Sequence, residues 1–407
     1  MKVIYVTSSL PYGPGEPFII PEIMELMRRG HKVMIVPMYP RGGIVHTEGA
    51  LLLKCTLSRP LLSWDIVCSA LVQALSSPKA AMDALGSLYR EGWPRVRLKN
   101  IAVFPKGLWL AKVARTWNAD HIHAHWASTT ATMAMIASMM SGIPWSFTAH
   151  RWDIVDDNLL GAKIASAAFV RFISQRSMDM ARIRAQYWTK KACVIHVGVS
   201  LPASGVISMR SLSPLLDRPF RVLCPGSLIP VKGHRYLIEA MAYLRDKGVS
   251  TEIWLAGDGE LRKALGEQAR SLGVTSELRF LGQLPHADLM RIYEKGEVDV
   301  VVLPSTDLGD GVHEGIPVSL MEAMSYGIPV ISTTTGGIPE LLGSEAGLLV
   351  PERDPLALAE AIEHLARDPS LCRRLGESGR RKVREEFSVE KVVDELIRRF
   401  QSGRGDA

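Results

Sequence analysis

Hydrophobic residues along this chain form short apolar runs, each followed by a polar, glycine-rich loop and then by a stretch with helical spacing. Apolar runs of roughly four to eight residues predict strands that are buried on both faces of a parallel sheet. The alternation of such strands with helices predicts an α/β architecture. We predict strands at 3–7, 32–37, 143–149, 169–174 and 193–197 in the first half, and at 220–224, 253–256, 280–284, 298–303, 329–332 and 347–350 in the second.

A stretch rich in proline separates the two series of strands. Residues 201–219 include Pro202, Pro214 and Pro219, which is typical of a linker. We therefore predict one domain at 1–200 and another at 220–387. A last helix at 389–400 begins after Ser388, a favourable N-cap, and residues 402–407 are expected to fray.

The positive charge is concentrated in one segment. The chain of 407 residues has a formal net charge of +6, and residues 77–116 carry eight basic and two acidic residues. With its aromatic residues, this segment suits an anionic membrane face or a phosphorylated acceptor, and a solvated helical face is the alternative. No nucleic-acid motif accompanies the charge. The basic residues are Lys79, Arg90, Arg95, Arg97, Lys99, Lys106, Lys112 and Arg115, and the aromatic ones include Trp93, Phe104 and Trp109.

Cysteine usage and hydropathy indicate a compartment. Five scattered cysteines without a CxxC pair indicate a reducing environment. The N-terminus enters a strand at once and lacks the pattern of a signal peptide. No stretch offers about 18 uncharged apolar residues, so we expect no transmembrane helix. We expect a cytoplasmic protein, peripheral at most to the inner face of the membrane.

Two carboxylates flank a predicted helix start in the stretch 304–340. Seven residues separate Glu314, in a polar loop, from Glu322, in a helix predicted at 317–326. The unpaired N–H groups and dipole of a helix N-terminus favour an anion such as phosphate. An anion cradle beside carboxylates that accept hydrogen bonds from hydroxyls suits a sugar attached to a nucleoside diphosphate. Two glutamates near one helix are also common, so a structural role is the alternative on spacing alone.

A second candidate loop follows the strand at 220–224. Residues 225–234 are small or turn-forming and include Gly226, Ser227 and Lys232. A small-residue loop with a lysine after a strand is typical of a phosphate site, although the spacing is not that of a Walker A motif. The lysine would neutralise a leaving diphosphate.

In the first half, one candidate loop and one histidine follow strands. Ligands of α/β domains bind at the carboxyl ends of strands, so the loop at 11–16 is expected to face a crevice. It is not a GxGxxG loop, and a plain turn is the alternative. His150 follows the strand at 143–149, a credible functional position, and Asp153 would orient it or its loop.

Three histidines alternate along one strand-like stretch. His121, His123 and His125 are two residues apart and should therefore point to one face. Such an arrangement would permit a zinc site, but no HExxH motif or nearby cysteine accompanies it, and we expect no metal.

These motifs together resemble the retaining glycosyltransferases of family 4, and in particular bacterial exopolysaccharide transferases of the colanic-acid type. The family signature of a Glu, seven residues and a second Glu is matched by Glu314 and Glu322. The resemblance covers nearly the whole chain. It implies the GT-B fold, with two Rossmann-like domains facing across a cleft and a C-terminal helix crossing back to the first domain. Its other motifs are Gly226-Ser227-Leu228 with Lys232-Gly233, Leu255-Ala256-Gly257-Asp258-Gly259, Phe147-Thr148-Ala149-His150, His123-Ala124-His125 and residues 11–18.

The resemblance also implies roles for individual residues. Glu314 would hold the donor sugar, Glu322 the ribose and Lys232 the phosphates, while His150 would contact the sugar from the first domain. Glu314, His150 and Lys232 would thus be the catalytic residues. The remaining donor-binding residues would be Gly226, Ser227, Gly257, Asp258, Gly259, Gln283, Leu284, Gly315, Ile316, Pro317, Val318 and Ser319. Residues on the acceptor side would be Gly15, Glu16, His125, Arg151 and Asp153.

The sequence departs from the family at one position. An arginine usually follows the first glycine of the phosphate loop, and here Ser227 takes its place. The site loses a cation, for which Arg235 or Arg151 could compensate.

The implied reaction is transfer of a sugar from a nucleoside diphosphate sugar to a hydroxyl of a glycan or lipid-linked acceptor, with retention at the anomeric carbon. The lysine and the helix dipole would supply the positive field, so no metal or cofactor is expected. Three alternatives stay open: a nucleotide-sugar 2-epimerase, a sugar phosphorylase, or a catalytically silent nucleotide-binding scaffold.

Overall fold

The computed structural model describes residues 1–13, 15–43, 47–61, 63–89, 94–185, 188–203, 218–309 and 311–402. The chain divides into two compact units. The first comprises Met1–Gly198 and Val389–Ala407, and the second comprises Val199–Ser388. Most of the predicted linker, residues 204–217, and the end of the predicted frayed tail, residues 403–407, lie outside the described residues.

The described part of the first unit contains a sheet of six parallel strands in the order β2-β1-β3-β4-β5-β6. The order reverses between β1 and β3, and ligands of open α/β sheets bind at such a reversal. The strands are β1 (Lys2–Thr7), β2 (Lys32–Pro37), β3 (His121–His125), β4 (Trp145–Ala149), β5 (Phe169–Phe172) and β6 (Ala192–Val194). The helices are α1 (Ile20–Arg28), α2 (Trp64–Ser76), α3 (Pro78–Ser87), α4 (Pro94–Trp117), α5 (Thr129–Ser141), α6 (Trp152–Val155), α7 (Leu160–Ser166) and α8 (Gln175–Arg184).

Both faces of this sheet are covered, as the apolar runs predict. Ile4 and Val6 of β1 belong to a core that includes α4 and α5, whereas Val3 and Tyr5 belong to a second core on the other face. The alternation follows from the two-residue period of a strand. Helices on both faces leave a parallel sheet no solvent-exposed side, so the strands are almost entirely buried.

The last helix of the chain returns to the first unit. In α16 (Val389–Ser402), the residues Val389, Val392, Val393, Leu396 and Phe400 are buried in the core that contains Val3 and Tyr5. Their spacing of three, four and seven residues puts them on one helical face. The expected return of the C-terminal helix is therefore confirmed.

The described part of the second unit holds another sheet of six parallel strands, in the order β12-β11-β10-β7-β8-β9. This is the Rossmann order, and it reverses between β7 and β10. The strands are β7 (Phe220–Pro225), β8 (Thr251–Ala256), β9 (Leu278–Gly282), β10 (Val300–Leu303), β11 (Val330–Thr333) and β12 (Leu348–Val350). The helices are α9 (His234–Asp246), α10 (Arg262–Ser271), α11 (His286–Glu294), α12 (Val318–Ser325), α13 (Ile338–Leu342), α14 (Pro355–Arg367) and α15 (Pro369–Lys382).

Candidate active site

The loop after β7 is held tightly against the end of β10. Lys232 closes a short 3₁₀ turn, and Gly233 follows in the left-handed region at φ +67°. A Cβ atom at Gly233 would lie 1.8 Å from the carbonyl oxygen of Pro304, so no other residue fits without a shift of the backbone. The N–H of Thr306 donates to the carbonyl of Val231 at 2.9 Å. These contacts fix Lys232 at the reversal of strand order.

The lysine meets the first glutamate of the signature at this point. The Nζ atom of Lys232 lies 2.7 Å from Oε1 of Glu314, and both side chains are half-buried. The structure thus brings together the two residues predicted to bind phosphate and sugar. Next to the lysine, burial and the charge of Lys232 lower the pKa of His234 to about 4, so that this histidine is neutral at neutral pH.

A second glycine loop supports the backbone of Glu314. The N–H of Gly337 donates to the carbonyl of Gly315 at 3.1 Å. Gly336 is in the left-handed region, and a Cβ atom there would lie 2.0 Å from the carbonyl oxygen of Glu314. The same carbonyl lies 2.7 Å from Nδ1 of His313. Sequence reasoning did not single out His313, because its partner is a main-chain atom.

Helix α12 begins one residue later than predicted. Pro317 is its N-cap, with extended backbone, and Val318 and Ser319 form its first turn. Glu322, on the same helix, lies 2.8 Å from Nε2 of His286 at the start of α11. The histidine was not predicted, since it is 36 residues away in the sequence.

The loop after β8 is joined to the loop after β7. The N–H of Leu228 donates to the carbonyl of Asp258 at 2.9 Å. A Cβ atom at Gly257 would lie 1.9 Å from the carbonyl of Gly226, and one at Gly259 would lie 2.6 Å from that of Leu228. Both glycines are therefore required for the close approach of the two loops.

The position of the expected arginine is at the surface. Ser227 is exposed. Arg235 is also exposed and lies 3.6 Å from Glu239, so its guanidinium is directed along its own helix. Gln283 is exposed and Leu284 half-buried, directly after β9.

In the first unit, Glu16 holds the loop that follows β1. Its carboxylate accepts hydrogen bonds from the backbone N–H groups of Ser8 (2.9 Å), Ser9 (2.6 Å) and Leu10 (2.8 Å). It also accepts one from the indole N–H of Trp126 at 2.7 Å. A buried carboxylate with these partners holds its loop in place, and the position of Glu16 close to phosphate or acceptor stays a prediction. Gly15 beside it is exposed.

The three histidines of β3 are buried on one face, as predicted. His121 and His123 share the hydroxyl of Ser146 at 2.7 Å each, and Nε2 of His123 lies 2.9 Å from Thr148 Oγ1. These hydroxyls are on the neighbouring strand β4.

Glu22, His123 and His125 have ligand atoms within 4.8 Å of one another, a spacing that a metal ion could use. Their partners do not suit a cation. Arg171 donates to Glu22 at 2.5 Å, and the hydroxyl of Tyr5 donates to it at 2.7 Å. Burial would raise the pKa of Glu22, but Arg171 and His125 hold it well below its usual value. The guanidinium therefore already neutralises this carboxylate.

His150 is packed at the carboxyl end of β4. Its ring lies 4.2 Å from that of Trp126 and 5.2 Å from that of Phe18, measured between centroids. Burial and the neighbouring His125 keep its pKa well below the usual value. Asp153 accepts hydrogen bonds from the N–H groups of His150 (3.0 Å) and Ala127 (2.6 Å), so it fixes the loop. The guanidinium of Arg151 lies over the ring of Trp152.

The second half of the chain matches a protein-family model. The model "Glycosyl transferases group 1" matches residues 210–382, which include Lys232, Glu314 and Glu322. We call residues 210–382 the group 1 domain, after the family model that they match.

Curated relatives of this group 1 domain include enzymes named for polysaccharide synthesis. The amylovoran biosynthesis glycosyltransferase AmsK of Erwinia amylovora is 34% identical over 178 residues, 44% of this chain and 43% of AmsK. The putative colanic acid biosynthesis glycosyltransferase WcaL of Escherichia coli K12 is 32% identical over 186 residues, 45% of each chain. The chain thus spans a little under half the length of these relatives.

Solved structures match over the whole chain. Anabaena Alr3699/HepE in complex with UDP has a TM-score of 0.72 and 19% identity, with coverage of 99% of this chain and 100% of that one. A glycosyltransferase from Rickettsia africae has a TM-score of 0.73 and 18% identity, with coverage of 100% and 99%. At these identities the likeness shows the fold, which is GT-B.

Outside the group 1 domain, the basic segment 77–116 has fewer surface charges than the sequence indicates. Lys106 is fully buried and donates to the carbonyls of Pro37, Met38 and Arg59. Burial lowers its pKa to about 8. It is therefore a structural residue. Arg90 and Trp93 lie outside the described residues. In the part of the chain that is described, no helix combines the length and the apolar character that crossing a membrane requires.

Proposed function

We propose that this protein is a retaining glycosyltransferase that moves a sugar from a nucleoside diphosphate sugar to a hydroxyl of a glycan or lipid-linked acceptor in polysaccharide synthesis. The observation that carries the proposal is the 2.7 Å pair of Lys232 and Glu314 at the strand-order reversal of a group 1 domain. Loops at such a reversal are where α/β sheets bind nucleotides.

The pair is suited to a sugar diphosphate because of its donor and acceptor groups. The ammonium of Lys232 has three N–H donors, so it can bond to Glu314 and to phosphate oxygens together. The carboxylate of Glu314 accepts hydrogen bonds from sugar hydroxyls, and that of Glu322 accepts them from ribose. The N-terminus of α12 adds positive potential beside the phosphates.

The proposed reaction is a same-face substitution. The bond from the anomeric carbon to the diphosphate oxygen breaks while the acceptor oxygen bonds to the same carbon, and the leaving phosphate takes the acceptor proton. The residues position the donor and stabilise the charge of the leaving diphosphate. Lys232 supplies the positive charge that offsets the negative charge of the leaving diphosphate. We therefore propose a reaction that needs no metal.

Two nucleotides are the first to be tested. A solved structural neighbour is a complex with UDP, whereas a Corynebacterium glutamicum relative, 30% identical over 182 residues, is named as a GDP-mannose-dependent mannosyltransferase. These names support UDP and GDP as candidate donor nucleotides for this chain.

Calorimetric titration with UDP, GDP and ADP tests the donor site without an acceptor. We expect one nucleotide to bind selectively. Lys232→Ala should weaken it about 10- to 100-fold, because a charge-assisted hydrogen bond is worth ~1.5–3 kcal/mol. Lys263→Ala is the matched control, since that lysine is on the same unit with a side chain 90% exposed. Failure of all three nucleotides to bind, or equal weakening by both variants, would contradict the proposal.

We also propose that the first unit works at an anionic membrane surface. Helix α2 exposes Trp64, Leu71, Val72 and Leu75, with exposed fractions of 82%, 60%, 58% and 81%. Their offsets of seven, eight and eleven residues from Trp64 place them on one face, here called the α2 stripe. Exposed apolar residues on one helical face are unusual in a soluble protein and mark contact surfaces.

Charges on neighbouring helices favour lipid over protein as the partner. Helix α2 packs against α3 and α4. On these two helices Lys79, Arg95, Lys99 and Lys112 are exposed. The α4 helix adds Leu98, which is 70% exposed. Apolar side chains with nearby lysine and arginine are the pattern of interfacial helices on anionic lipid. A surface of this kind would bring the enzyme to a lipid-linked acceptor.

A further inference from the structure

A line of buried polar side chains connects helix α1 to His150. Oε1 of Glu22 lies 3.5 Å from Nε2 of His125. On the other side of the same ring, Nδ1 of His125 lies 3.3 Å from Nε2 of His150. All three residues are buried, and they come from α1, β3 and the loop after β4. The three are called here the Glu22 relay.

The carboxylate determines which nitrogen of each ring carries the proton. An ionised carboxylate only accepts hydrogen bonds, so Nε2 of His125 must be protonated to face Glu22 favourably. In a neutral imidazole, Nδ1 of His125 is then an acceptor. Nε2 of His150 must donate to it, which leaves Nδ1 of His150 as an unprotonated nitrogen. The opposite tautomers would place a lone pair of His125 against the carboxylate.

Both ends of the relay, Glu22 and His150, are held by hydrogen bonds or by packing. Arg171 and the hydroxyl of Tyr5 fix the two oxygens of Glu22. Trp126, whose indole is bonded to Glu16, lies against one side of the His150 ring. His123 does not compete for the relay, because its two nitrogens are occupied by Ser146 and Thr148.

We propose that Glu22 and His125 are positioning residues that present Nδ1 of His150 as a hydrogen-bond acceptor for a hydroxyl of a bound sugar. This rests on the proposed function and on the contact of His150 with the sugar that the family resemblance implies. The sugar O–H donates and Nδ1 accepts, so no bond to carbon changes in this step. Burial keeps the pKa of His150 low, which preserves the lone pair at neutral pH. An imidazolium would have two donors and no acceptor.

The tautomers can be measured directly by long-range ¹H–¹⁵N NMR of the full chain labelled with ¹⁵N-histidine, at pH 7 without nucleotide. We expect His125 and His150 each to carry the proton on Nε2. In Glu22→Gln, the amide oxygen can still accept the hydrogen bond from Arg171, and the amide NH₂ can face Tyr5 and His125. The relay should then reverse, with both protons moving to Nδ1.

Glu25→Gln is the control, because Glu25 is on the same helix and pairs with Arg28 and Arg29 instead. It should leave both tautomers unchanged. Should Glu22→Gln fail to fold, His125→Phe keeps a ring beside Tyr5 and removes the partner of His150, so the Nε2–H proton signal of His150 should move upfield as its hydrogen bond is lost. Nδ1 protonation in the unmodified protein, or no effect of any relay variant, would overturn the proposal.

A second measurement separates the relay from the donor site. The substrate is UDP-glucose if UDP binds in calorimetry, and GDP-mannose if GDP binds. The slow hydrolysis of this nucleotide sugar by the enzyme is then measured. Glu22→Gln should lower kcat at least tenfold and leave nucleotide affinity unchanged. Combining it with His150→Phe should add nothing to the loss caused by His150→Phe alone, as expected for residues acting together. Additive losses of kcat would contradict the relay. Failure of the unmodified protein to bind any of the nucleotides would instead contradict the proposed function.

Discussion

At the scale of single residues, the geometry of the proposed donor site depends on glycines as much as on charged groups. Gly233 lets the chain turn directly after Lys232, and Gly257 and Gly336 each allow a carbonyl oxygen to come within 2.0 Å of where a Cβ atom would be. Lys232 and Glu314 come from loops 82 positions apart in the sequence, so their pairing requires both loops to be fixed. A glycine substitution should therefore affect binding without touching a charged group.

Gly233→Ala tests this dependence, with Gly248→Ala as its matched control. Both glycines have nearly the same left-handed φ, +67° and +69°, but no atom lies within 4 Å of a Cβ atom at Gly248. The control should cost about 1–2 kcal/mol for the backbone conformation alone. Gly233→Ala should cost a further ~1–3 kcal/mol from the clash with Pro304 and should weaken nucleotide binding. Urea unfolding and calorimetry measure both quantities. Equal effects of the two variants would show that the clash is relieved cheaply.

Local spacing in the sequence indicates candidate site residues, but it does not show pairings between distant residues. Glu314 and Glu322 were singled out by their spacing across a helix start, and Lys232 by its place in a small-residue loop after a strand. The sequence did not show that the carboxylate of Glu16 bonds to the indole of Trp126, which is 110 residues away. Lys106 was counted as a surface charge, yet its carbonyl partners are on segments 47 to 69 residues earlier. Periodicity does not report such pairings.

At the scale of elements, the predicted strands match the observed ones. Most of their ends differ by no more than one or two residues. Strand β10, for example, begins at Val300 and not at 298. The region from 51 to 117 was less predictable, because its helices combine buried and exposed apolar positions. In α2, Ile66 and Ala70 are buried, whereas the α2 stripe is exposed. A helix that is apolar on two faces gives a weak periodic signal, so the exposed stripe needed the structure.

Vesicle co-sedimentation tests whether the α2 stripe contacts lipid. The full chain should bind phosphatidylglycerol vesicles and bind phosphatidylcholine vesicles weakly. Trp64→Ser with Leu75→Ser should reduce binding at least tenfold, since burial of one large apolar side chain is worth roughly 1.5–3 kcal/mol. Arg95→Gln with Lys99→Gln should reduce it on phosphatidylglycerol alone.

Ile183→Ser provides the control for the α2 stripe. Ile183 is 85% exposed on α8 of the same unit, so its replacement removes a similar apolar area elsewhere. It should leave vesicle binding unchanged. Equal binding by all variants would exclude the stripe as a lipid contact. A stripe variant that changes the oligomeric state without vesicles would instead show that a second copy of the chain covers the stripe.

At the scale of the whole molecule, the chain divides its tasks between two units that each have their own core. The backbone leaves the first unit at Gly198 and re-enters it at Val389. A Cβ atom at Gly198 would lie 2.7 Å from Cα of Val389, so the two backbone segments are in direct contact at these residues. The loop with Lys232 and both signature glutamates belong to the second unit, whereas the Glu22 relay and the α2 stripe belong to the first. Damage to one core should therefore be separable from the function of the other unit.

Phe400→Ala tests that separation. Phe400 is fully buried, and its ring lies 4.8 Å from His121 and 5.7 Å from Phe169, so its loss leaves a cavity on the α16 face of the first sheet. A Phe→Ala change of this kind costs about 3–5 kcal/mol. Amide hydrogen exchange should accelerate in β1 and β3 while β7 and β10 keep their protection, and nucleotide affinity should stay the same. Arg398→Ala, on the same helix with a side chain 70% exposed, should change neither exchange nor affinity measurably. Loss of nucleotide binding in Phe400→Ala would show that the donor site depends on the first core, and that the two units unfold as one.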